Sequence, residues 1–163
     1  MKTRKNLTKQ AYLQNLTERN SLVQSLYDKI AFNFKFFQFG DKGGQSFEEW
    51  EREQILADLN NKLKDYSGKT ILELQQDKTL EIYTEYPKGS KFTQPDFLAS
   101  VNIKWGRLRI TGRRRLIGFF TRAEMLGTIE KNIFYVVFLD KNHDFAPSNK
   151  HYVTCELREP QGL

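Results

Sequence analysis

The chain has 163 residues, 39% hydrophobic and 28% charged, a composition that fits one domain with a single core and excludes a disordered chain. Its single cysteine, Cys155, excludes an intramolecular disulfide and a four-cysteine zinc site and predicts a reducing compartment. The net charge of +6 is local: between Phe97 and Ala123 stand seven basic residues and no acid, leaving the remainder near −1, which favours a polyanionic partner.

Met1-Lys2-Thr3-Arg4-Lys5 leads into polar residues rather than an apolar signal core, and no run of about 20 apolar residues follows anywhere. A cytoplasmic protein without membrane contact is expected. Residues 7–30 place Leu7, Ala11, Tyr12, Leu16, Val23, Leu26, Tyr27 and Ile30 at three-to-four spacing, predicting an amphipathic helix. This N-terminal helix (1–30) would precede an α+β core (31–163), together one domain.

Phe32-Asn33-Phe34-Lys35-Phe36 alternates with period two and reads as a strand, stopped by Gly40-Asp41-Lys42-Gly43-Gly44. Ser46-Phe47-Glu48-Glu49 has the form of a capping box and opens a helix with Trp50, Leu56, Leu59, Leu63 and Tyr66 on or near one face, ending by Gly68. Thr70-Ile71-Leu72-Glu73 repeats the box and starts a shorter helix to about Asp77. Residues 78–100 hold a possible short strand around Leu80–Tyr83 and otherwise read as loop. Strands are predicted at about 101–111, 113–121 and 132–140, with a last short strand over 151–157. The run Ile133–Leu139 is apolar on both faces, as a central strand requires. The expected fold is α+β, an antiparallel-rich sheet with two helices packed on one face.

Side chains alternate along a strand, so Arg107 and Arg109 share one face, and Arg113 and Arg115 have the same relation on the returning strand. With Lys104 and Arg114 they form a candidate phosphate-binding surface opposite the helices, since a guanidinium offers a planar fork of donors and keeps its charge. The alternative is a solvated face of an amphipathic hairpin. His143 follows the apolar strand, where an imidazole beside cations can act as general acid or base; a turn histidine bonded to Asp140 or Asp144 is the other reading. His143, His151, Cys155 and Asp140 match no usual zinc spacing, so neither a metal nor another cofactor is expected. No phosphate-loop, serine-elbow or His-Glu-x-x-His motif occurs.

Phe32-x-Phe34, Leu63-Lys64-Asp65-Tyr66-Ser67, Arg115-x-x-Gly118-Phe119 and Phe134–Asp140 followed by His143 resemble a widespread set of small, largely uncharacterised bacterial proteins. The succession Trp105–Ile110, Arg113–Ile117, apolar strand and His143 also resembles RelE/ParE-type toxins of toxin–antitoxin pairs. That resemblance implies a β-α-α-β-β-β order after the added N-terminal helix. It further implies phosphate contacts from Arg107, Arg109, Arg113 and Arg115, and proton transfer by His143. Phe145 stands near where some members carry a terminal tyrosine, the loop at 78–100 is extra, and the chain is longer than a typical member.

The expected function is therefore RNA binding with metal-independent endoribonuclease activity, on ribosome-bound mRNA in the RelE manner, as part of a toxin–antitoxin or defence system with a small acidic antitoxin as partner. His143, Arg113 and Arg115 would be catalytic. The alternatives are a non-catalytic nucleic-acid-binding module and an interaction domain for an acidic protein.

Overall fold

In the computed structural model, which describes residues 3–121 and 132–147, the chain runs through helix α1 (Thr3–Asp28), strand β1 (Ala31–Asn33) and helices α2 (Phe47–Arg52), α3 (Leu56–Tyr66) and α4 (Ile71–Gln76). Strand β2 (Leu80–Tyr83), the short helix α5 (Asp96–Ala99) and strands β3 (Ile103–Thr111), β4 (Arg114–Thr121) and β5 (Ile133–Asp140) follow. The fold is α+β, with a five-stranded mixed sheet in the order β1-β5-β4-β3-β2. Only β1 and β5 pair in parallel; the other neighbours are antiparallel.

Both predicted capping boxes form. Ser46 Oγ accepts from the Glu49 N–H at 3.2 Å while Glu49 Oε2 accepts from the Ser46 N–H at 2.7 Å. Thr70 and Glu73 repeat this at 3.1 and 2.7 Å, so each helix start satisfies two otherwise orphaned donors.

The single helix expected from Ser46 to Tyr66 is instead broken at Gln54, whose φ is +59°. The cause lies in the spacing. Leu59, Leu63 and Tyr66 share one helical face, but Trp50 would fall about 180° away on a continuous helix. The break lets Trp50, Ile55 and Leu59 all enter the same core. The strand expected over Phe32–Phe36 likewise stops at Asn33, and the Phe37 N–H turns back to the Phe34 carbonyl at 3.0 Å. That turn sends Phe36 and Phe37 to opposite sides of the sheet.

Helices α2, α3 and α4 cover one sheet face, packing Trp50, Leu59, Tyr66 and Leu74 against Leu80, Leu108, Leu116 and Phe134. Gly106 and Gly118 pair directly on this face, and the Phe134 ring fills the slot between them. The second face, expected to be open, is also covered. Phe92 packs on Phe138, and Phe145 sits among Tyr83, Tyr86 and Trp105. Lys91 ties the two covering segments together, its N–H donating to the Asp144 carbonyl at 3.0 Å and its Nζ reaching Asp144 Oδ1 at 2.7 Å. The loop at 78–100 is thus half of a second aromatic core, and Phe145 is an interior residue with no solvent exposure.

A β-bulge supports this arrangement. Ile117 pairs with Phe138 and Gly118 with Val136, leaving Val137 unpaired, so Val137 and Phe138 both face the second core. Helix α1 joins the body near its C-terminal end, where the Asn132 side chain donates to the Leu26 and Lys29 carbonyls. From Thr8 to Asp28 its side chains are exposed, so the predicted apolar stripe stays outside the core until Ile30, just past the helix, which is buried in it. Among the described residues no helix is long and apolar enough to cross a membrane. The expected strand over 151–157 lies outside the described residues.

Candidate nucleic-acid interface

The β3–β4 hairpin turns at Gly112 (φ +52°), a conformation that suits glycine in a two-residue connection. From this turn the register distributes the arginines. Arg109 pairs with Arg115, which in turn pairs with Asp140; one row further along, Glu81, Arg107, Ile117 and Phe138 lie side by side. Arg107, Arg109 and Arg115 therefore share the second sheet face, as alternation predicts.

They do not form one open surface. Arg107 Nη2 donates to Glu81 Oε2 at 2.6 Å, and Nη1 donates to the Ala146 carbonyl at 3.1 Å. Its guanidinium lies 5.9 Å from the Tyr83 ring centre, while Tyr83 Oη donates to the same Glu81 oxygen at 2.9 Å. Only 11% of the Arg107 side chain is exposed. Arg115 is buried, and its Nη1 donates to the Gly112 carbonyl at 2.7 Å and the Arg114 carbonyl at 2.9 Å. Burial pushes the Arg115 pKa down, and the charges of Arg107 and Arg109 push the same way. The arginines are close enough to repel. The acid expected to be missing is Glu81, which lies outside the basic stretch in sequence but opposite Arg107 in the sheet.

Asp140 is fully buried, but its charge is used locally. Oδ1 accepts from the Asn142 and Asp144 N–H groups at 3.2 and 2.9 Å, and Oδ2 accepts from the Phe145 N–H at 2.9 Å. This fixes the turn in which His143 adopts φ +69°. His143 Nε2 stands 3.0 Å from Arg107 Nη1. A guanidinium has no acceptor, so Nε2 receives the hydrogen bond and the ring proton sits on Nδ1. Partial burial lowers the His143 pKa, as do Arg107 and Arg115, against a smaller opposing effect of Asp140. The imidazole is neutral at pH 7, and the lone pair a base would use is occupied.

The remaining predicted residues separate. Arg109 is exposed, and its carbonyl accepts from Tyr66 Oη, whose pKa burial pushes up to about 12. Arg113 is exposed in the turn and not on the strand, because β4 starts one residue later. Arg114 lies on the face opposite Arg115, and its Nε is buried with no hydrogen-bond partner among the described residues. Lys104, between Ile103 and Trp105, also points to that opposite face. His143 bonds neither Asp140 nor Asp144 through its ring. Among the described residues no three His, Cys, Asp or Glu side chains form a metal-holding group; His151 and Cys155 lie outside them.

The sequence reading missed Glu81 and Tyr83, which hold Arg107, and Gln45, whose Oε1 accepts from the Lys141 N–H at 2.7 Å at the exit of β5. No family model, curated protein or solved structure matches the chain.

Proposed function

We propose that the chain binds single-stranded RNA through the tip of the β3–β4 hairpin, with Arg109 and Arg113 gripping phosphates and the buried Arg107 and Arg115 adding positive field beneath them. The observation that carries this reading is that Arg109 and Arg113 are exposed beside two further arginines, and no ion pair among the described residues joins either to an acid. Unpaired guanidinium forks in and beside the hairpin turn give phosphate contacts without base readout. The RelE/ParE-like view of the core belongs to the same proposal: with β2 and α5 taken as additions and α2 and α3 as one broken helix, the elements after α1 run β-α-α-β-β-β.

Cleavage is the second reading, favoured by one observation: the His143 imidazole lies against Arg107, and the charges of Arg107 and Arg115 both lower its pKa. In that mechanism His143 takes the 2′-hydroxyl proton, the hydroxyl oxygen attacks the adjacent phosphorus, and the arginines stabilise the added charge; the P–O5′ bond then breaks, leaving a 2′,3′-cyclic phosphate, and the departing 5′-oxygen takes a proton from the imidazolium or from water. Arg107 must first release Nε2, so binding is the reading the geometry supports better.

Fluorescence anisotropy with an end-labelled single-stranded RNA, with and without ribosomes, tests both. Binding with the RNA left intact supports the module; shortened RNA that disappears with His143→Ala supports cleavage. Equal displacement of the RNA by polyglutamate at matched charge transfers the surface to an acidic protein partner.

A further inference from the structure

A helix whose side chains touch nothing draws its stability from propensity alone, and in water that is marginal even for good helix formers. The side chains of helix α1 are exposed from Thr8 to Asp28, yet they include large apolar ones. Tyr12, Leu16, Val23, Leu26 and Tyr27 are between 36% and 66% exposed and fall within about 100° of the helix circumference. Leu13 and Leu22 are exposed on its two flanks and Arg19 stands between Leu16 and Val23, so the sector is an apolar surface interrupted by a cation, of the kind that marks an interaction surface.

The charges on the helix select the occupant. Lys9 and Arg19 fall inside the apolar sector, whereas Glu18 and Asp28 fall on the opposite side. Asp28 is also engaged there, accepting from Gln24 Nε2 at 2.9 Å. A second copy laid on this stripe would set cations against cations, with Arg19 near its own counterpart in a centred antiparallel pair. Like charges facing each other in a partly dry seam are unfavourable.

We propose that the apolar face of α1 docks an acidic amphipathic helix of another protein, whose apolar residues cover Tyr12, Leu16, Val23 and Leu26 and whose carboxylates meet Lys9 and Arg19. The surface is separate from the arginine hairpin and does not depend on RNA binding.

The test uses the full chain and a designed peptide of about 20 residues with Leu at the seam positions and Glu flanking them, against a control with Lys in place of Glu. Calorimetric titration gives binding of the Glu peptide and at least about tenfold weaker binding of the Lys peptide. Leu16→Asp/Leu26→Asp abolishes Glu-peptide binding with the thermal unfolding of the body unchanged, because these side chains lie outside the core. Lys9→Glu/Arg19→Glu reverses the preference between the two peptides. Three results overturn the proposal: neither peptide binds, both bind equally, or sedimentation shows self-association that Leu16→Asp/Leu26→Asp removes.

Discussion

Arg107 and Glu81 face each other across β3 and β2 with Nη2 2.6 Å from Oε2, and the guanidinium simultaneously reaches His143 and the Ala146 carbonyl. One side chain thus joins the sheet to the segment that leaves β5. Arg107→Ala removes all three contacts and is expected to cost about 2 kcal/mol in urea unfolding, discounted because Glu81 is partly exposed. A loss below about 0.5 kcal/mol makes Arg107 an ordinary surface cation.

Asp140 organises the turn that presents His143. Asp140→Ala strands the N–H groups of Asn142, Asp144 and Phe145, and the expected cost is about 3 kcal/mol. Hydrogen exchange of those amides should rise more than exchange in β3, which distinguishes a local loss from a general one.

The lowered His143 pKa gives a sign to the pH dependence. As pH falls below 6.5, the unfolded chain takes up the proton before the folded one, so stability declines over a window that opens near 6.5 and extends downward to the folded value. His143→Asn tolerates the left-handed backbone and lacks the proton. Urea midpoints at pH 7.5 and 5.5 should therefore fall further for the wild type than for the variant. Parallel curves mean that His143 does not titrate differently in the two states.

Gly118 has no room for a side chain. An added Cβ would meet the Phe134 ring at 2.7 Å and press on the Tyr135 carbonyl, which belongs to a paired strand and cannot step aside. Gly118→Ala is expected to lose about 3 kcal/mol, visible as a lower thermal midpoint. Gly112→Ala meets no neighbour within 4 Å, so its cost is limited to the positive φ, about 1 kcal/mol.

What was legible in the sequence follows from range. The capping boxes at Ser46 and Thr70 and the β3–β4–β5 meander rest on local chemistry and strict alternation, and they stand where the sequence places them. The shared face of Arg107, Arg109 and Arg115 came from the same alternation. The cover over that face came from aromatics in aperiodic loops, Phe92 and Phe145, whose burial no spacing announces. Glu81 was hidden for a different reason: it meets Arg107 only through the β2–β3 register, and β2 is four residues long. The phenylalanine run from 32 to 39 imitates a strand because both cores draw on it in turn.

The division between structural and ligand-facing arginines is the central claim, and the salt dependence of RNA binding tests it most directly. Each phosphate contact to a single strand contributes about 0.7 to the slope of log affinity against log salt. Arg109→Ser/Arg113→Ser should weaken binding and flatten that slope by about 1.4, with the urea midpoint unchanged. An unchanged affinity and slope in this variant, or a variant that unfolds, would contradict the account.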